Sequence, residues 1–415
     1  MDKLVNVYAQ TNPQILGRRL TNARKAAGVT QDEAAKLLGV ARSTLVNIEQ
    51  GSRLPKEDEL FRLAERYGAA LHTLLRREPP PEPLQVQFRA APRVGAKLDT
   101  KVEQKIEELQ QLCDDYFELE RLCKRSVPAT NAPNYSIEGM SAAQAGEDIA
   151  QTERNRLGLG DAPVLNVLET VENEGVTVFQ MKMPSHVSGL YGNAVQHREA
   201  QGVEISLERA VIVINVDHPA DRRGWSTMHE YAHFLTRRHT AEVIVDFDAQ
   251  ITAENERFAD AFASAFLMPS SSVSRRFREL KQEHKMFMPP DLCLLAHFFA
   301  VSVEAMAHRL ESLGLIRPGS YQRMLDDGFR PKEAQQLLGL VPYDMDSRLL
   351  PLRFQLLAAE AFQAGDITEE EYAEFLRQDL LTLRQRHMDL RVNYMITELG
   401  RVQPKAAASS SDMGA

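Results

Sequence analysis

A multidomain chain is expected: an all-α helix-turn-helix domain, an α+β domain with a small sheet and a metal-binding helix, and a helical C-terminal region. Three observations predict it. Five short helical segments with apolar periodicity fall within residues 16–76. The word His229-Glu230-Tyr231-Ala232-His233 sits on a helical pattern behind several short β-branched runs. At 415 residues the chain is too long for one ordinary domain, and two to three are expected.

The first domain is placed at 10–78. Leu16, Leu20 and Ala23 share one helical face, and Ala34, Ala35, Leu37 and Leu38 form the next helix, ending at Gly39. Leu45 and Ile48 anchor a third, Leu60 and Leu63 a fourth, Leu71 and Leu75 a fifth. Thr30 stands where an N-cap is wanted, with Glu33 three residues on as its capping-box partner. Gly28, Gly39 and Gly51 fall at the breaks.

The words Thr30-Gln31-Asp32-Glu33-Ala34-Ala35 and Ser43-Thr44-Leu45-Val46-Asn47-Ile48-Glu49-Gln50-Gly51 make this stretch resemble the Xre-type (lambda and 434 repressor-like) helix-turn-helix domain. The resemblance implies that Arg42, Ser43, Thr44 and Asn47 face the major groove of double-stranded operator DNA. Gln31 and Gln50 would then hold backbone phosphates through amides and helix N-termini. A helical module used only for dimerisation or protein contact is the alternative.

Charge is consistent with the DNA reading. The chain carries a formal net charge of −9, yet residues 1–78 hold 13 Lys/Arg against 9 Asp/Glu, a local excess of +4. A basic end on an acidic body suggests that the end alone meets a polyanion. Hydrophobic residues at 43% and charged residues at 26% are ordinary for soluble globular protein. The three cysteines, Cys113, Cys123 and Cys293, form no CxxC pair, which points to a reducing cytoplasm. No stretch approaches 18 uncharged apolar residues, so no membrane span is expected. Met1-Asp2-Lys3-Leu4-Val5 lacks a basic region followed by an apolar block, so no secretion is expected.

Residues 79–97 read as a linker, with Pro79, Pro80, Pro81, Pro83 and Pro92 favouring extended structure. Leu98, Val102, Ile106, Leu109, Leu112, Tyr116, Leu119 and Leu122 then mark an amphipathic helix within 98–126. It is either a coiled-coil dimer seam or a packing face for the next domain.

The second folded domain is placed at 130–318. Helices are expected over 141–157 and 163–174, and strands over 176–179, 187–191, 203–206 and 211–215. Helices over 222–238 and 252–267 follow, then a helix-turn-helix-shaped pair over 292–299 and 302–313. Residues 319–400 are a helical region with two amphipathic helices within 345–398, and 401–415 a small, polar tail expected to be disordered.

The chemistry lies in the second domain. Positions i and i+4 share a helix face, so His229 and His233 can grip one ion together. This is the HExxH arrangement, two imidazoles for one Zn²⁺ (Mn²⁺ the alternative) with Glu230 beside them as base. Glu256 and Asp260, again i and i+4, offer two carboxylates on one face of the following helix. Glu256 is the expected third ligand, and Asp260 the acceptor for the free ring N–H of a ligand histidine. Glu254 competes as ligand but sits on a different helical face from Asp260. His218 and His239 read as surface residues, and His186 and His197 as surface or substrate-facing.

Four words make residues about 135–315 look like the ImmA/IrrE family of zinc metallopeptidases. They are Asp221-Arg222-Arg223-Gly224-Trp225-Ser226-Thr227-Met228-His229-Glu230, Glu256-Arg257-Phe258-Ala259-Asp260-Ala261-Phe262-Ala263, Phe266-Leu267-Met268-Pro269, and Ser302-Val303-Glu304-Ala305 through Arg309-Leu310-Glu311-Ser312-Leu313-Gly314. The family more often has Asn where Asp260 stands and Phe-Thr where Trp225-Ser226 stand. The resemblance implies a zincin-like α+β domain with His229, His233 and Glu256 as ligands and Glu230 as catalytic base. Tyr191, His197 and Arg222 are candidates for the group that steadies the tetrahedral intermediate.

Together these features imply a homodimeric, cytoplasmic and nucleoid-associated regulator. Its expected substrate is a helix-turn-helix repressor or an antitoxin-like partner, or its own chain within 77–97. The alternative is a non-proteolytic regulator or antitoxin whose metal site senses a metal or small ligand.

Overall fold

The computed structural model describes residues 12–69, 71–75, 85–88, 100–128, 130, 132–200, 203–237, 249–341, 343 and 346–385. The expected tail at 401–415 lies outside them. The chain divides into two compact units, Met1–Pro351 and Leu352–Ala415.

The first unit begins with five helices, α1 (Pro13–Ala26), α2 (Gln31–Leu38), α3 (Arg42–Glu49), α4 (Glu57–Tyr67) and α5 (Leu71–Leu75). Their starts and stops follow local chemistry. The Asn12 side chain caps α1, which opens on Pro13. Thr30 and Glu33 form the reciprocal capping box of α2, and Gly39, at φ 68°, closes that helix in the left-handed conformation. Leu16, Leu20, Leu45, Ile48, Leu60 and Leu63 meet in one core. A β-carbon at Gly17 would fall 2.5 Å from the Glu49 carbonyl oxygen, so α1 and α3 cross in backbone contact.

After the linker, α6 (Thr100–Leu122) buries Val102, Leu109, Leu112, Tyr116, Phe117 and Leu119. Of the two readings left open for it, packing within the chain is what the structure shows. The Arg209 guanidinium lies 3.8 Å from the Tyr116 ring centroid, bonds Glu120 and also donates to Thr177.

The α+β part runs α7 (Ala142–Arg156), α8 (Val167–Glu172), β2 (Thr177–Met181), β3 (Gly189–Ala200), β4 (Val203–Asn215), α9 (Ala220–Arg237) and α10 (Ala249–Leu267). α11 (Ser270–Glu283), α12 (Pro289–Phe298) and α13 (Val303–Ser312) follow. β3 and β4 form a long antiparallel hairpin, with Gly189 opposite Ile214 and Ala200 opposite Val203, while β2 joins β4 in parallel. The separate strands expected at 203–206 and 211–215 are therefore one. Glu208-Arg209-Ala210 looks like a break in the sequence, but Arg209 is buried against α6, so the strand continues through it.

The linker also departs from a plain spacer. Gln85–Phe88 forms β1, which pairs antiparallel with β3 and gives the sheet order β1-β3-β4-β2. Prolines bracket this segment without entering it, which leaves its backbone donors available for pairing.

One apolar core gathers α7, α8, the sheet, α9, α10, α12 and α13. The fully buried Arg154 donates to the carbonyls of Gly160, Ala162 and Phe266, tying α7 to the end of α10. Arg309 of α13 donates to the Met268 carbonyl and pairs with Glu147 of α7. α14 (Ser320–Asp326) and α15 (Pro331–Leu337) pack on α13 and α12 and stay within the first unit, so the helical region expected from 319 begins before the division at Leu352.

In the second unit α16 (Leu352–Ala364) packs on α17 (Glu369–Phe375), with Phe362 and Tyr372 rings stacked at 4.9 Å. Among the described residues no single helix is long and apolar enough to cross a membrane.

Candidate metal centre

α9 lies on β3 and β4 and carries His229, Glu230 and His233, all buried. α10 crosses it and presents Glu256 and Asp260. Apolar packing sets that crossing: the Tyr231 ring lies 6.2 Å from Phe262, and Phe258, Ala259 and Ala263 are buried completely. Behind α10 stands α7, where a β-carbon at Gly146 would meet Ala261 Cβ at 2.5 Å. This close approach holds the carboxylate-bearing helix against the histidine-bearing one.

A buried polar network anchors α9 from behind. The Tyr231 and Tyr135 hydroxyls donate to Glu153 at 3.0 and 2.6 Å, and Arg156 pairs with the same carboxylate at 2.7 Å. Burial alone would push Glu153 up, but the Arg156 guanidinium and the Tyr135 hydroxyl hold its carboxyl below the ordinary range. No local pattern announces this network, because its members are spread from 135 to 231.

The donor atoms converge. His229 Nε2 lies 3.3 Å from Glu256 Oε2, His233 Nε2 lies 3.2 Å from Glu256 Oε1, and the two Nε2 atoms are 3.2 Å apart. Donors at about 2.0–2.1 Å from a tetrahedral Zn²⁺ stand about 3.3 Å from one another. Among the described residues His229, His233 and Glu256 form a group able to hold a metal ion, and its spacing fits one.

The protonation pattern fits as well. His229 Nδ1 lies 2.8 Å from Asp260 Oδ1, and a proton on Nδ1 leaves the Nε2 lone pair facing the group. Burial opposes ionisation of Glu256, yet the His229 and His233 rings beside it bring the carboxyl down to about 2.

Glu230 is 1% exposed and packs on the sheet. A β-carbon at Gly189, the first residue of β3, would lie 3.0 Å from both Glu230 Cγ and Oε1. The glycine is therefore part of the seat of Glu230, a role its place in a short strand pattern does not disclose.

The remaining candidates separate. Glu254 is exposed and lies outside the three-residue group. Tyr191 is buried in the core, its ring 6.2 Å from Phe234 and its hydroxyl near Asn193. Arg222 donates to the Ser188 hydroxyl, one residue before Gly189. His186 is exposed, and half-buried His218 lies 3.1 Å from the Ser185 carbonyl. His239 and the His197 side chain lie outside the described residues.

On α3, Leu45 and Ile48 face the core, while Arg42, Ser43 and Asn47 are exposed and Thr44 half-buried. Gln50 is exposed at the end of that helix. Gln31 is held within the domain, where its amide donates to Glu49 at 2.8 Å and accepts from Arg42 at 3.3 Å. Glu49 in turn pairs with buried Arg24 at 2.6 Å. The network orients Gln31 and Arg42 from below, and sequence periodicity gives no hint of it.

Two parts of the chain match family models. Residues 171–311 match the model of the IrrE N-terminal-like domain (Peptidase M78), and residues 15–77 match a helix-turn-helix domain model. The chain is 42% identical over 60 residues to the HTH-type transcriptional regulator ImmR of Bacillus subtilis (strain 168), covering 14% of this chain and 47% of that protein. It is 50% identical over 42 residues to the uncharacterized HTH-type transcriptional regulator YazB of the same organism, covering 10% of this chain and 61% of that protein. The matched stretches thus span about half of the first relative and somewhat more of the second. A helix-turn-helix domain of the kind found in transcriptional regulators is joined here to an IrrE-like peptidase-family domain.

Proposed function

We propose that this chain is a DNA-binding transcriptional regulator with zinc-dependent endopeptidase activity, cutting a helix-turn-helix repressor or antitoxin-like protein in stress or mobile-element regulation. The observation that carries the reading is the convergence of His229, His233 and Glu256 at tetrahedral spacing, with Glu230 buried beside them. These three residues would hold the ion. Bound there, Zn²⁺ or Mn²⁺ supplies Lewis acidity to the hydrolytic water and the scissile carbonyl.

The protein's own groups do the rest. Glu230 takes one proton from the water as its oxygen joins the carbonyl carbon, and returns it to the nitrogen when the C–N bond breaks. Gly189 and the surrounding core hold that carboxylate in place. Asp260 fixes the His229 ring through Nδ1. In the N-terminal domain, Arg42, Ser43, Thr44 and Asn47 read an operator, with Gln31 and Gln50 on phosphates. We place the regulator as a homodimer in the cytoplasm, at the nucleoid.

The test combines metal analysis with a proteome comparison. Elemental analysis of the purified chain should give one zinc or manganese per chain, and none for His233→Ala. Cells carrying wild type should contain cleaved partner fragments that cells carrying Glu230→Gln lack. If Glu230→Gln preserved all regulation while His233→Ala abolished it, the site would be a sensor and the peptidase reading would fall.

A further inference from the structure

The outer edge of the sheet is closed by a strand that the peptidase-family match does not contain. β1 comes from the stretch between the helix-turn-helix domain and α6, well before the matched range 171–311. Gln85, Val86, Gln87 and Phe88 lie opposite Asn193, Gly192, Tyr191 and Leu190 of β3. β4 pairs with the other side of β3 along its whole length. The β3 residue just before this paired stretch is Gly189, the one whose β-carbon position meets Glu230 Cγ and Oε1 at 3.0 Å. Strand residues follow at about 3.3 Å and neighbouring strands lie about 4.8 Å apart. The C-terminal end of β1 is therefore one residue step from the part of β3 that touches Glu230.

An outer strand edge offers a row of main-chain donors and acceptors that any extended chain can match. Without β1, the edge at 190–193 would be such a template, directed towards Glu230. We infer that Gln85–Phe88 is a resident, displaceable occupant of the outer edge of β3 at Leu190–Asn193, holding that edge from extended partner segments until one displaces it. The partner class follows from the chemistry: an extended or locally unfolded stretch with no proline at the paired positions, rather than a folded helix. The fate of the bound segment rests on the proposed peptidase reading, whereas its binding does not. A tethered occupant competes at an effective concentration of about millimolar, so weak partners are excluded until β1 leaves.

The experiment uses the full-length, zinc-loaded Glu230→Gln chain, so that bound peptide stays whole. The probe is a fluorescent synthetic peptide of residues 83–92. Val86→Pro with Gln87→Pro removes the Gln87 donor that faces Tyr191 and fixes φ at both central residues of β1, and Val86→Thr with Gln87→Ser is the strand-competent control. The proline pair should bind the probe at least tenfold tighter than the parent and the control. The amides of Tyr191 and Asn193, which alternate onto the β1 side of β3, should exchange hydrogen at least tenfold faster in the proline variant and regain protection with probe. A second variant, Val86→Cys with Gly192→Cys, should lock the strand as a disulfide, lose probe binding tenfold, and recover it on reduction.

Equal affinity in parent and proline variant, unchanged exchange at Tyr191 and Asn193, or undiminished binding in the locked form would each overturn the inference. Separate measurements with Glu230 intact keep this failure distinct from failure of the peptidase reading. A tenfold binding gain, with no protein fragments in wild-type cells beyond those of Glu230→Gln cells, retains the β1 inference and removes the peptidase. Such fragments present and unaffected by the prolines, with no binding gain, do the reverse.

Discussion

His229 divides its ring nitrogens between two roles, with Nδ1 facing Asp260 at 2.8 Å and Nε2 facing Glu256 and His233. The first bond sets the tautomer that the second role needs, and loss of such an orienting partner typically weakens metal affinity by about 10–100-fold. Asp260→Ala should weaken zinc binding to that extent in a chelator competition. Asp260→Asn, whose side-chain oxygen still accepts from Nδ1, should stay within about threefold of wild type on the same reasoning. Equal losses in both variants would mean that charge, not ring orientation, is what Asp260 contributes. Gly189 makes a different prediction. An added β-carbon meets Glu230 at 3.0 Å, so Gly189→Ala should displace the carboxylate and leave the zinc content unchanged. A displacement on the order of 1 Å can cost about a hundredfold in turnover, and turnover at constant zinc stoichiometry is the measurement. The ligand pattern is legible in sequence because a helix repeats every 3.6 residues, which brings 229 to 233 and 256 to 260. Gly189 is not legible, because its constraint comes from a residue 41 positions away.

At the scale of elements, most helix ends are readable from capping chemistry, as Thr30, Glu33 and Gly39 show. Strand extents are less so. β4 contains Arg209, whose charge suggests exposure and a break, but the guanidinium is covered by Tyr116 and paired with Glu120 of α6. Only the presence of α6 makes that strand continuous, and local sequence cannot report it. α8 offers an element-scale prediction through Glu172, near the Arg348 guanidinium at 2.9 Å. Burial pushes the Glu172 carboxyl up to about 7, outweighing the opposing pull of Arg348. A carboxyl raised on folding contributes stability that is fully present below its unfolded value and is lost as pH rises through its folded one. The window therefore runs from about 4.5 to about 7. Wild type should lose thermal stability across it relative to Glu172→Gln, whose melting temperature should change less with pH. Parallel melting curves for the two proteins from pH 4 to pH 8 would show that Glu172 stays ionised throughout.

Across the whole molecule, the helix-turn-helix and peptidase-like cores share no residue: one is built on Leu16, Leu45 and Leu63, the other on Phe234, Phe258 and Phe262 with their neighbours. Both are foreseeable because each carries its own periodicity and its own polar word. The strand contributed by the linker is not, since four residues between prolines acquire a partner only when β3 is folded. Separate cores lead to a double dissociation. Arg42→Ala or Asn47→Ala removes an exposed side chain of α3 and leaves Leu45 and Ile48 in place. Loss of a base contact costs about 1–3 kcal/mol, so affinity for a duplex selected in vitro by the wild-type chain should fall about tenfold or more, with zinc content unchanged. His233→Ala should do the opposite, losing the metal while DNA affinity stays within about twofold. Anisotropy titrations at fixed salt, paired with elemental analysis of the same samples, measure both axes. If His233→Ala cost DNA affinity as heavily as Asn47→Ala, metal occupancy and operator binding would be one linked equilibrium. The metal would then act on transcription directly, and a cleaved partner would no longer be needed to connect the two domains.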